Sequence, residues 1–180
     1  RCQYRRQHGR FEHASGACLD SQSVKVAPNC TSECVGFDSG KRVKGRKRHV
    51  LVDTLGLIIA VLVTAADLSD ARGGRTVIKR WWANGQRRLR KVWADSAYGK
   101  EGLGEWLNGL KASFKIDLEV TGTQKGRGFQ VIPHRWVVER TFAWLYNYRR
   151  LVKDYETKHQ TSEALIQISM CHLLLKRLAK

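Results

Sequence analysis

Two apolar runs, Val50 to Val52 and Leu57 to Val63, flank the tetrapeptide "DTLG" and predict a β-hairpin with a four-residue connection. The second run is apolar throughout, the pattern of a central strand covered on both faces. Upstream, "ACLDSQSVKV", Ala17 to Val26, alternates loosely and predicts a strand with Cys18, Asp20, Gln22 and Val24 on one face. Pro28 to Gly40 is turn-rich and polar, hence a loop. Ser69-Asp70 is a helix-start signal for Ala71 to Ala83, where Val77, Ile78, Trp81 and Trp82 share a face and Asn84-Gly85 stops the helix.

A short strand over Arg90 to Ala94 ends at Asp95, and a helix over Lys100 to Leu110 follows. Phe114 to Val120 predicts another strand before a Gly-rich basic loop, Thr121 to Gly128. Two helices, about Arg135 to Tyr155 and Ser162 to Leu178, close the chain. The order β-β-β-α-β-α-β-α-α, led by an antiparallel hairpin, implies an α/β fold: a mixed sheet with helices on both faces.

Length agrees with that picture, because 180 residues suffice for one ordinary domain. An apolar content of 42% with six Trp argues for a globular chain. No apolar run reaches the roughly 18 residues a membrane span needs, and no signal-peptide pattern is visible. Residues 1–16 lack a period and are expected to be a remnant or linker from a missing N-terminal region, with the folded domain over 17–180. Five Cys, an odd number without paired spacing, fit a reducing cytoplasm. Cys30 and Cys34 would make only half a zinc site and read as ordinary loop thiols.

Charge changes the picture most. Thirty-three Lys and Arg against sixteen Asp and Glu leave +17. Nucleic acid is the usual partner for so basic a globular chain, and an anionic membrane is a weaker one because the cations are spread over several segments. "GKRVKGRKRH", with Lys41, Lys44, Lys47 and Arg48, precedes a strand and reads as a phosphate grip or, alternatively, a solvated hairpin arm. "RRLRK" reads as a solvated turn, and "QKGRG" as a loop flexible enough to clamp DNA or, equally, a floppy one.

Three acids stand out. Asp20 lies inside a strand, where a carboxylate needs a partner or a cation. Asp95 falls at a strand end, the usual place for ligand-binding groups in such sheets, although it could equally cap the next helix. Glu139 sits on a helix whose apolar stripe is Val137, Thr141, Trp144, Leu145, Tyr148, Leu151 and Val152. Its opposite side gathers Arg135, Glu139, Tyr146, Arg150 and Lys153, with Arg149 at the edge. Glu139 either pairs with Arg135 one turn away or holds a divalent cation whose phosphates the arginines grip. Carboxylates from three separate elements suit phosphoryl transfer with two metal ions about 3.5–4 Å apart. Asp53 resembles them but sits in the hairpin turn, where Asp is ordinary. Either Trp136 or Trp144 could stack a flipped base; Trp144 falls on the core stripe and is assigned to packing, and Trp136 stays open.

The blocks "LDSQSVKVAP", "GKRVKGRKRHVLVDTLGLIIAVLVTAADLSDARGG", "VWADSAYGK", "RWVVERTFAWLYNYRRLVKDYE" and "TSEALIQISM" together resemble the catalytic half of bacterial insertion-sequence DDE transposases, from about Cys18 to Leu178. The resemblance implies an RNase H-like fold and a metal site of Asp20, Asp95 and Glu139 binding two Mg²⁺, with Mn²⁺ as the substitute. It implies cleavage of the element's ends and joining of the 3′-OH to target DNA by a dimer on double-stranded DNA. A truncated DNA-binding remnant, or an RNase H-like nuclease without strand transfer, is the alternative. Family members also place a Tyr and a Lys on the last helix, where this chain has Ile132 and Tyr146; Lys153 lies on the same predicted face.

Overall fold

The computed structural model describes residues 1–30, 32–85, 87–100, 102–109, 115–121 and 135–179. In chain order its elements are α1 (Cys2–Gln7), β1 (Gly16–Lys25), a 3-10 turn (Ser32–Cys34), β2 (Gly36–Asp38), β3 (Val43–Asp53), β4 (Ile58–Ala65), α2 (Asp70–Ala83) and β5 (Lys91–Asp95). Then follow α3 (Ser96–Lys100), α4 (Leu103–Gly109), β6 (Asp117–Thr121), α5 (Arg135–Tyr146), α6 (Arg149–Val152) and α7 (His159–Leu178).

The sheet runs β2-β3-β1-β5-β6, with β4 also on β3. β1, β3 and β4 are antiparallel, whereas β5 and β6 run parallel to β1. An antiparallel meander continued by two parallel strands on the far side of β1 is the RNase H-like order, as the resemblance implies. Period-2 alternation sends the two faces of β1 and β3 into two cores. Ala17, Leu19 and Leu51 pack with Val77, Ile78 and Trp81 of α2. Cys18, Val50 and Val52 pack with Val137, Val138, Phe142 and Leu145 of α5 and Ile166 of α7. Each aliphatic side chain so enclosed contributes about 1.5–3 kcal/mol relative to exposure.

α2 starts where expected. Ser69 caps it by accepting from Arg72 N at 3.4 Å, and Gly85, at φ +75°, follows its end. The hairpin turn also forms, with Gly56 at φ +86°; a Cβ there would stand 2.6 Å from the Trp144 ring, so both conformation and space require glycine.

Four expectations are corrected. β4 is apolar on both faces, yet among the described residues it pairs only with β3. Its outer edge is closed by side chains instead: Glu163 Oε1 accepts from Val63 N (2.9 Å), and Arg80 Nη1 donates to Val61 O (3.0 Å) and pairs with Glu163 (2.7 Å). The loop of 28–40 contains β2, which pairs with Val43 to Gly45. The helix expected over 100–110 begins at Ser96 and divides into α3 and α4. The helix expected to run to Tyr155 ends at Tyr146, so Val152 is exposed and not part of the core stripe. Arg48 Nη1 donates to Leu151 O at 2.7 Å and fixes the chain beyond that break.

Residues 1–16 contain α1, which docks on the hairpin turn: the Arg5 guanidinium pairs with the buried Asp53 carboxylate, and Arg1 Nη1 donates to Ile58 O (3.2 Å). Among the described residues no helix is long and apolar enough to cross a membrane. The strand start at Phe114, the loop "QKGRG" and Ile132 lie outside the described residues.

Candidate active site

β1 and β5 pair in parallel up to Leu19 opposite Ala94, which puts Asp20 and Asp95 side by side one residue further on. Both carboxylates line one small cavity with Cys18, Leu19, Trp93, Ala94 and, from α5, Val138. Asp20 Oδ1 accepts from Ser21 N at 2.7 Å. Asp95 Oδ1 accepts from Ala97 N at 3.0 Å, so Asp95 orders the first turn of α3 as well as facing the cavity. Glu139 follows Val138 on α5 and is exposed. Val138 thus brings α5 to the cavity that Asp20 and Asp95 line, but among the described residues no group of three or more His, Cys, Asp or Glu could hold a metal ion.

Burial, reinforced by Asp20 and Asp53, pushes the Cys18 thiol up to about 12, so it is a neutral wall and not a thiolate ligand. Tyr98 of α3 is fully buried, with its hydroxyl beside the Ser21 side chain. Burial first, then the charges of Asp20, Asp70 and Asp95, hold its pKa well above the usual tyrosine value. Two hard oxygen donors on adjacent strand ends fit a divalent cation of the Mg²⁺ type.

Behind the sheet the basic run of β3 behaves differently from expectation. Lys47 is buried, paired with Asp70 (3.2 Å) and Asp38 (3.4 Å), and donates to Leu68 O. Arg48 is buried against Leu151 O, and Arg46 against Asp154 (3.1 Å), Ser162 and Thr157 O. Lys47 and Arg48 thus cannot reach a phosphate: the strand continues through them and the protein supplies their counter-charges. Lys41 and Lys44 remain exposed, with Lys41 Nζ donating to Ser21 O at 3.0 Å.

Arg149 and Arg150 are exposed and line a shallow surface cavity with Tyr155; Arg150 also pairs with Glu156 (2.5 Å). Lys153 follows α6 in extended conformation, so it no longer shares a helix face with Glu139. Arg135 opens α5, and its side chain lies outside the described residues. Tyr146 is exposed, and half-exposed Trp136 stacks on the Arg140 guanidinium, 4.3 Å from its ring centroid. Asp53 serves the fold alone: it is fully buried, bound by Arg5, and accepts from Leu55 N and Leu57 N. All five cysteines are free thiols.

The sequence pattern missed Tyr98 and the Ser21–Asp70–Lys47 chain, in which Ser21 Oγ donates to Asp70 at 2.6 Å. Tyr98 stands three residues beyond the strand-end Asp95, and that proximity was the available signal.

The model of the transposase DDE domain family matches residues 12–174. The chain belongs to the transposase DDE domain family. This DDE-family chain is 29% identical over 133 residues to a putative transposase for insertion sequence element IS402 of Burkholderia cepacia. That alignment covers 71% of the present chain and 61% of the relative, so the chain spans about three-fifths of that relative's length. Among solved structures, the DDE-family chain is similar to the catalytic core domain of BIV integrase, at 17% identity and a TM-score of 0.45. The likeness covers 88% of this chain and 82% of that one.

Proposed function

We propose that residues 17–180 are the catalytic domain of a DNA transposase that cuts insertion-sequence ends and joins the freed 3′-OH to target DNA. Asp20, Asp95 and Glu139 would hold two Mg²⁺. The observation that carries this reading is the Asp20–Asp95 pair, two carboxylates at the ends of adjacent parallel strands, lining a cavity whose far wall comes from the Glu139 helix. Membership of the family supports it independently. Bound cations would activate the attacking oxygen and neutralise the leaving 3′ oxygen.

The chain's own residues do the rest. Exposed Lys41, Lys44, Arg149 and Arg150 contact phosphates and steepen the salt dependence of binding, and Arg135 and Lys153 are assigned the same role. Glu139, exposed on the helix that supplies Val138 to the cavity, would complete the ligand set. Joining two ends calls for a dimer assembled on the DNA.

Mg²⁺-dependent nicking of supercoiled DNA, followed by a strand-transfer assay, tests the reading. Asp95→Asn and Glu139→Gln are expected to reduce nicking to background while leaving DNA binding intact. Equal activity in Glu139→Gln and wild type, or none in either, would leave a chain that only binds DNA. Nicking without joining would leave a nuclease.

A further inference from the structure

Arg140 of α5 is a cation without an acid. Its guanidinium stacks on two indoles, 4.3 Å from the Trp136 ring centroid and 4.8 Å from that of Trp144, and Arg177 of α7 stacks on Trp144 at 4.0 Å. Among the described residues neither arginine forms an ion pair. Arg140 Nη2 donates to Leu55 O (3.3 Å), but Nε is buried without a hydrogen-bond partner. Burial first, then the Arg177 charge, lowers the Arg140 pKa from the ordinary arginine value. Docking of α5 on the hairpin turn has other means: Thr141 Oγ1 donates to Gly56 O at 2.9 Å, and the Trp144 ring covers Gly56. Two guanidiniums drawn to one indole with no carboxylate beside them suit an incoming anion, and phosphate is the one their fork of donors matches best.

The place of this stack on α5 links it to the candidate site. At about 100° per residue, Glu139 lies around the helix between Val138, which lines the cavity of the two aspartates, and Arg140. Trp136, one turn before Arg140, falls between Glu139 and Arg140 in the same projection and is 47% exposed. A nucleic-acid strand that leaves the cavity past Glu139 would cross Trp136 and then Arg140, with Arg177 behind.

We propose that Trp136 and Arg140, backed by Arg177, hold an unpaired stretch of the DNA strand that leads out of the cation site, a base stacking on Trp136 and a phosphate accepting from Arg140. The cations alone would take duplex and single strand alike. An exposed indole beside them favours a base released from its own stack, whatever the sequence, because every base has a face to offer. The inference rests on the DNA reaction proposed above.

Fluorescence anisotropy of a labelled duplex with an unpaired tail of about ten thymidines, set against the blunt duplex, tests it on the full chain. The titrations are run in EDTA, so that cation binding plays no part. Wild type is expected to bind the tailed DNA more tightly than the blunt one. Trp136→Ala is expected to melt with wild type and to bind the tailed DNA about tenfold more weakly, the size of one lost base–aromatic stack, with blunt binding unchanged. Arg140→Gln is expected to lower the slope of log K against log salt on the tailed DNA by about 0.7, one phosphate contact on a single strand. Unchanged tail affinity in Trp136→Ala, an unchanged slope in Arg140→Gln, equal weakening on both DNAs, or no preference for the tail in wild type overturns the inference. Where Mg²⁺-dependent nicking by wild type persists beside such a result, the catalytic reading stands without it. Wild type that binds neither DNA overturns both.

Discussion

His49 lies inside the sheet on the α2 side, with Nε2 3.1 Å from Thr64 Oγ1 and Nδ1 without a hydrogen-bond partner. Its ring fills the space above Gly73, where a Cβ would come within 2.1 Å of Cε1. Burial lowers its pKa to about 4; Asp70 opposes the shift, and Lys47 and Lys41 add to it. Because the folded pKa lies below the unfolded value near 6.5, the unfolded chain binds the proton more readily between those two values. Stability is therefore full above pH 6.5 and falls as pH drops toward 4, by about 3 kcal/mol if His49 acts alone. Thermal melts at pH 7 and pH 4.5 should show this loss in wild type and a smaller one in His49→Gln. None of this was legible in the sequence, where His49 is one more cation in a basic run. The placing of Asp20 and Asp95 was legible, because strand alternation and strand ends are local signals. Tyr98 was not, because its burial depends on Gly74, a residue of another element.

At the scale of elements, β3 shows why the basic run misled. Alternation sends Arg46 and Arg48 to one side of the sheet and Lys47 and His49 to the other, continuing the faces of Val50, Val52 and Leu51. That period was present in the sequence. What hid it was that the matching groups are acids and carbonyls remote along the chain, Asp154 and Leu151 on one side and Asp38 and Asp70 on the other. A strand of charges looks like a solvated arm until its partners are known. The two kinds of cation should separate by experiment. Lys44→Ala should lower the slope of log K against log salt for DNA binding by about 1 with little change in stability. Arg48→Met should leave the slope alone and destabilise the fold by about 1–3 kcal/mol, because Leu151 O loses its buried donor. Salt titrations and denaturant melts of the two variants decide between these assignments. The break after Tyr146 was hidden for a similar reason, since it depends on the grip of Arg48 on Leu151.

Over the whole molecule, α1 and α7 meet beside the hairpin turn of β3 and β4. The Arg5–Asp53 pair and an aromatic–guanidinium series, Trp144 with Arg177 at 4.0 Å and Arg177 with Tyr4 at 5.8 Å, join them to the body. Arg5→Ala leaves Asp53 charged and enclosed, and should cost about 3 kcal/mol in denaturant unfolding. Among the described residues Arg5, Arg46, Lys47 and Arg48 are thus turned inward as fasteners, and on the function proposed above the exposed lysines and arginines would meet DNA. The outermost strand adds a constraint of its own. Val61 O and Val63 N are occupied by Arg80 and Glu163, side chains from helices on opposite layers. Without that clasp the margin of β4 would offer extended, apolar, unpaired backbone, whose best chemical match is the same margin of a second molecule. Two side chains outside the candidate site thereby guard this sheet against becoming the first layer of an aggregate.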